Sequence, residues 1–215
     1  MALMQECTLV RLTKAQAQEN RTRIVETAAT LFRERGYDGV GVAELMATAG
    51  FTHGGFYNHF QSKADLMTEA AKFGFSQSAA RAGTVDPVEF VKRYVCRDHR
   101  DARSDGCTAA ALSGDAARQP ETVKAVFAAG IERLLSALES EYVKAGNTDP
   151  QGTRAKAINI LAHSIGAVML SRACPDTSSL ADEILDVCRT KILATLPTAA
   201  ESPTCDRAPI KRASP

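Results

Sequence analysis

The run Gly50-Phe51-Thr52-His53-Gly54-Gly55-Phe56-Tyr57-Asn58-His59-Phe60 admits few architectures. Just before it, Val42, Leu45, Met46 and Ala49 recur at i, i+3, i+4, i+7, which predicts a short helix with one apolar face. Gly50-Phe51 breaks that helix, and the Thr52 hydroxyl is suited to cap a new one. Phe56 and Phe60 give the second helix a buried side, while Thr52, His53, Tyr57 and His59 carry hydrogen-bonding groups on the other. Two short helices joined by a tight glycine turn, apolar below and polar above, are the elements of a helix-turn-helix that enters a DNA major groove.

Each residue of this unit has an expected task. Phosphate contacts place a protein on DNA and base contacts choose the sequence. Tyr57 follows a buried Phe, so its phenol is expected to project toward a phosphate. Lys63 opens the next helix, where its charge and the free backbone N–H groups together suit a phosphate oxygen. His59 lies at the same end and donates one hydrogen bond even when neutral. Thr52 and His53 begin the reading helix, whose N-terminal residues reach base edges. Gly54 and Gly55 each cost about 1 kcal/mol against alanine in a helix interior. The pair is reasonable where backbone must approach DNA closely.

The segment resembles the tetracycline-repressor family of bacterial transcription regulators. The resemblance rests on Leu31-Phe32-Arg33-Glu34-Arg35-Gly36-Tyr37, on Phe56-Tyr57-Asn58-His59-Phe60 and on Ser62-Lys63-Ala64-Asp65-Leu66, in the family's order and spacing over roughly the first third of the chain. It implies a homodimeric repressor that binds a palindromic double-stranded operator and leaves it when a small-molecule inducer binds. One position departs from the pattern. Family members place Thr or Ser before the first helix of the reader, as cap and phosphate donor. Here Gly41 stands there, an acceptable cap without a hydroxyl.

The rest of the chain fits that frame. Formal net charge is only +1, so DNA affinity has to come from local cations, which the first third supplies in Arg21, Arg23, Arg33, Arg35 and Lys63. No apolar run approaches the roughly 18 residues of a membrane span, and Met1–Gln18 lacks a signal peptide's apolar block. A cytoplasmic protein without membrane partners is the expectation. Six dispersed cysteines with no Cys-x-x-Cys pair argue against a zinc site, and no metal or cofactor is expected.

Periodicity predicts an all-α chain: a mobile arm (1–19), a helix-turn-helix domain (20–71), a helical domain (72–196) and a disordered Pro-, Ala- and Ser-rich tail (197–215). The first helix is expected over Asn20–Arg35, with Gly36 as its stop. His99 through Gly106 reads as a charged loop, a break is expected near 82–85, and 147–152 reads as a turn. The last two helices, Gly152–Cys174 and Ser178–Leu196, carry broad apolar stripes.

The family resemblance implies that the C-terminal helices hold a ligand pocket and that the last two form the dimer interface. The interface candidates are Ile158, Leu161, Ile165 and Val168 on the first, and Leu180, Ile184 and Val187 on the second. Pocket candidates are Phe90, Tyr94, His99, Cys107, Phe127 and Ile131, although periodicity does not separate cavity from core. His163 beside the interface stripe reads as a structural histidine. Cys107 opens a helix, where a thiol gains thiolate character, while Asp101 and Asp105 oppose it. Some family members with a Gly-Cys at this place are similar and respond to electrophiles or oxidants, so a thiol sensor is the alternative. An enzyme built on Cys107 and His99 is disfavoured, because an all-α chain offers no strand-to-glycine oxyanion turn. An architectural DNA binder would need neither the apolar-striped helices nor an inducer.

Overall fold

The computed structural model describes residues 13–82, 85–144 and 149–196, and every regular element among them is helical. Helix α1 spans Lys14–Arg35. It starts earlier than the periodicity predicted, because Thr13 and Gln16 form a capping box: the Thr13 hydroxyl accepts from the Gln16 N–H at 3.2 Å, and the Gln16 side-chain Oε1 accepts from the Thr13 N–H at 3.0 Å. Residues 13–19 therefore belong to a helix and its cap, not to an arm; 1–12 lie outside the described residues. Gly36 ends α1 at φ 76°, as the sequence predicted.

Helix α2 (Val42–Ala49) buries Leu45, Met46 and Ala49 against α1. Gly50 then turns the chain at φ 84°, ψ 27°, a left-handed conformation that glycine adopts without steric cost. The reading element, His53–Asn58, is a 3-10 helix and not the α-helix expected. Gly54 and Gly55 weaken the α-form, and i→i+3 bonds from Gly55 N–H to Thr52 O (3.0 Å) and from His59 N–H to Phe56 O (2.9 Å) close the tighter turns.

Helix α3 (Lys63–Ala82) leaves the reader and packs along α1 and α7 (Glu121–Lys144), running unbroken through residues 71 and 72. Helix α4 (Pro87–Tyr94) is capped by the Asp86 carboxylate, which accepts from the N–H groups of Val88 and Glu89. The predicted loop 99–106 instead begins inside a short helix, α5 (Arg97–Asp101). Tertiary ion pairs hold it: buried Arg100 pairs with Asp101 and Asp176 and donates to the carbonyls of Ser171 and Cys174. Helix α6 (Thr108–Ala116) sits beneath α3 and α7. Helix α8 (Pro150–Ala173), capped by Asp149, lies along α9 (Ser179–Leu193). The predicted break at 83–84, part of the predicted turn (147–148) and the tail 197–215 fall outside the described residues; residues 150–152 of that turn instead form the first turn of α8, because the Asp149 carboxylate caps it and Pro150 suits its first position. Buried residues from α1 through α9 form one contiguous cluster, so the reader and the C-terminal helices share a core. Among the described residues no helix is long and apolar enough to cross a membrane.

Candidate nucleic-acid interface and effector cavity

Phe56 and Phe60 anchor the reading element from below, both buried, with ring centroids 5.5 Å apart. This forces their neighbours outward. Tyr57 is 69% exposed, edge-on to Phe56 at 5.2 Å and to His53 at 6.4 Å. Thr52, His53, Gly54 and Tyr57 are thereby gathered on one exposed face. A Cβ at Gly54 would meet nothing within 4 Å, and at Gly55 its nearest neighbour would be the Thr52 hydroxyl at 3.6 Å. Among the described residues no contact requires this glycine pair. His59 is half-buried, near Phe51 (6.5 Å) and Phe60 (6.3 Å). Thr52 makes no capping hydrogen bond, contrary to the role expected of it; Gly41, exposed at the start of α2, likewise caps only through its backbone.

The expected ring of cations is smaller than the sequence implied. Arg33 is turned inward, buried, with its Nε donating to the Ser104 carbonyl at 2.6 Å, and desolvation lowers its pKa from the ordinary arginine value. Arg21 pairs with Glu69 and lies over the Phe60 ring at 4.6 Å. Arg35 pairs with Glu44, and Arg23 lies over Phe51 at 5.5 Å. Lys63, at the start of α3, donates from Nζ to the Tyr37 carbonyl at 2.5 Å. That bond ties its side chain to the turn after α1.

The C-terminal helices enclose a cavity of about 280 Å³. Phe90, Tyr94, His99 and Cys107 line it as the sequence anticipated. Phe127 and Ile131 do not: Phe127 packs edge-on against Phe75 at 5.1 Å between α3 and α7, and Ile131 is partly buried against the core. Leu134 and Leu138, one and two helical turns further along α7, replace them, joined by Leu161 of α8. Arg81, Arg93 and Asp105 are also lining residues, all exposed, and so mark the mouth. The missed wall had a legible signal, the Phe127–Leu134–Leu138 stripe, but every member looked like core.

His99 is committed on both ring nitrogens. Nδ1 lies 2.7 Å from the Tyr94 carbonyl and Nε2 is 3.3 Å from the Cys107 backbone N. The neutral tautomer that satisfies both donates from Nδ1 and accepts at Nε2. Burial holds its pKa below the ordinary histidine value, with a smaller opposing effect from the Tyr94 carbonyl and further lowering by Arg172 and Arg81. The imidazole thus serves the backbone of Cys107 and is not poised as a base for its thiol. Cys107 itself is buried and stands at the N-cap of α6 without a side-chain capping bond.

The proposed interface residues divide in two. Leu161 and Val168 are buried within the chain's own core and are not available to a partner. Ile165 and Ile184 are half-buried. Ile158, Leu180 and Val187 are about half exposed, and with Met169 and Leu170 they leave apolar side chains in solvent on α8 and α9. Helix α8 is apolar around much of its circumference, so spacing alone did not tell its inner face from its outer one. His163 is half-buried on the same helix.

Residues 24–70 match the family model for bacterial regulatory proteins of the tetR family. The HTH-type transcriptional regulator AcrR of Shigella flexneri is 39% identical over 61 residues, which is 28% of this chain and 28% of that protein. The sequence match therefore spans little more than a quarter of the relative's length. Two solved structures share the fold over most of the chain. That of Escherichia coli NemR in its reduced form superposes with a TM-score of 0.64 at 18% identity, covering 81% of this chain and 95% of that one. That of AibR, in complex with isovaleryl coenzyme A and operator DNA, superposes with a TM-score of 0.53 at 22% identity, covering 81% and 98%.

Proposed function

The chain carries in residues 24–70 the N-terminal segment of the tetR family of bacterial regulatory proteins, and on that premise we propose that it is a ligand-released repressor that binds a palindromic operator as a homodimer. The observation that carries this reading is the reader itself. Buried Phe56 and Phe60 hold Thr52, His53, Gly54 and Tyr57 on one exposed face, with Lys63 at the adjoining helix start. With a net charge of +1 the chain has no general attraction for polyanions, so binding would be local and base-directed. The exposed apolar residues of α8 and α9 support a two-fold dimer through those helices, which would space two readers along one DNA face.

The route from cavity to reader is short. Cys107 opens α6; further along that helix, the Asp115 carboxylate accepts from the Tyr37 N–H at 3.0 Å. The Tyr37 carbonyl in turn accepts from Lys63, and Ser104, just before α6, accepts from Arg33 of α1. A ligand that prefers one placement of α6 shifts the population of reader placements by its differential affinity, about 1–3 kcal/mol for typical coupling. The test is a DNase footprint over the DNA flanking the gene, repeated with candidate compounds. A discrete protected palindrome, lost on adding a compound, is the expected result; sequence-independent coating of DNA refutes the reading.

A second reading has its own support. Cys107 faces the cavity beside the buried Tyr94 phenol. Its sulfur could add to the β-carbon of an α,β-unsaturated carbonyl compound, the thiol proton passing to the α-carbon, and the added bulk would displace the start of α6. A Cys107→Ser variant that still leaves the operator on treatment with a small enal excludes this mode and leaves reversible release standing.

A further inference from the structure

Most polar groups at the interior end of the cavity already hold hydrogen-bond partners. His99 uses both nitrogens on backbone partners. Ser78 donates to the Gly74 carbonyl at 3.0 Å. Arg172, behind this end, is turned to the carbonyls of Arg100 (2.8 Å) and His99 (2.9 Å). Tyr94 is the exception. It is 8% exposed and lines the cavity, its ring lies 5.1 Å from Phe90 and 4.3 Å from His99, and its buried hydroxyl has no hydrogen-bond partner. A buried hydroxyl left without a partner is costly, and among the described residues its side-chain neighbour is the Cys107 thiol, a weak acceptor.

The surroundings narrow what can satisfy it. Burial pushes the Tyr94 phenol well above its ordinary pKa, with the neighbouring Cys107 acting in the same direction, so the group is an O–H donor throughout the physiological range. The other buried walls at this end are Phe90, Leu134, Leu138, Leu161 and the Cys107 thiol, and the charged lining residues stand at the exposed mouth. A charged ligand group beside Tyr94 would lose its water while the charged lining residues stay at the mouth and the nearby Arg172 stays turned to the carbonyls of Arg100 and His99. The volume of about 280 Å³ suits a small molecule.

We infer that the cavity takes a small, uncharged carbonyl compound, its apolar body against Phe90, Leu134, Leu138 and Leu161 and its oxygen accepting the hydrogen bond of the Tyr94 hydroxyl. This rests on the reading of the cavity as the effector site and adds the chemical class of the effector. Discrimination follows from the polar contact. Apolar walls tolerate many shapes, whereas an unpaired donor penalises any ligand without an acceptor.

The experiment uses the full chain and three probes of similar size that do not react with thiols: acetophenone, its acceptor-free analogue cumene, and benzoate. Binding is followed by titration calorimetry and by ligand-observed NMR, for the wild type and for Tyr94→Phe. Acetophenone is expected to bind more tightly than cumene or benzoate, and Tyr94→Phe to weaken acetophenone about tenfold while leaving cumene unchanged. Retained cumene binding shows that the variant's cavity is intact. Equal binding of acetophenone and cumene, with no effect of Tyr94→Phe, overturns the carbonyl assignment and leaves the cavity as an apolar effector site. Benzoate binding tightest overturns it in favour of an anion. No binding of any probe to the wild type sinks the effector-site reading itself.

Discussion

Replacing Asp115 with alanine tests the joint between α6 and the reader. The Asp115 Oδ2 accepts from the backbone N–H of fully buried Tyr37 at 3.0 Å, and it lies where a Gly36 Cβ would come within 2.5 Å. A hydrogen bond to a charged acceptor contributes about 1.5–3 kcal/mol, and the donor left behind is a main-chain N–H that a cap or turn cannot replace. The carboxylate is 30% exposed, which points to the middle of that range, about 2 kcal/mol. For a chain of this size that corresponds to a fall in Tm of about 4–8 °C. The carboxylate also meets Arg118 at 3.4 Å, an exposed pair worth at most about 0.5 kcal/mol, so Arg118→Ala is the control. Asp115→Asn, which keeps an acceptor oxygen, should lose roughly half as much. Gly36→Ala adds a second probe: φ 76°, ψ 170° is a glycine conformation, and strain of about 1–3 kcal/mol joins the clash with Asp115. In the Asp115→Ala background Gly36→Ala should cost less, because only the strain remains. Thermal melts by circular dichroism decide the matter. An Asp115→Ala variant melting within about a degree of wild type, or strict additivity with Gly36→Ala, would refute the joint.

Three further outcomes are expected. Met169→Asp or Val187→Asp should give folded monomers that bind operator weakly, because both side chains are exposed, whereas Val168→Asp should unfold the chain; unchanged sedimentation of the exposed-site variants at micromolar concentration would reject α8 and α9 as the interface. Lys63→Ala and Tyr57→Phe should weaken DNA binding about equally on all sequences, the lysine change lowering the salt slope by about one, and His53→Ala should relax base preference; an affinity loss without a change in slope would assign Lys63 to holding the Tyr37 carbonyl alone. Because the His99 pKa is lowered in the folded chain, the unfolded chain binds the extra proton first, so stability should fall as pH drops from about 6.5 toward the folded value. His99→Gln should flatten this part of the stability–pH curve, and an unaltered acid limb would show that other groups produce it.

The elements legible in the sequence are those that a few neighbouring residues decide. Gly36 and Gly50 end helices at positive φ, the Asp86 carboxylate caps a helix two and three residues on, and the Phe56–Phe60 spacing forces Tyr57 outward wherever the reader packs; the Asp149 cap, equally local, was passed over when 147–152 was read as a turn. The capping box that starts α1 was equally local, spelled Thr13-Lys14-Ala15-Gln16. Other features depend on which elements meet. Arg33 faces Ser104 across the core while Arg35 stays exposed, and nothing in either helical neighbourhood distinguishes them. Helix α5 exists because Arg97 and Arg100 find Asp182 and Asp176 far along the chain. Leu161 closes a cavity while Ile158 faces solvent on the same helix, and the Tyr94 hydroxyl is left unsatisfied because the neighbouring His99 and Arg172 are turned to backbone partners and the other walls are largely apolar. Backbone turns and caps are set by hydrogen bonds within a few residues; burial, cavities and the state of a buried donor are set by the packing of distant surfaces.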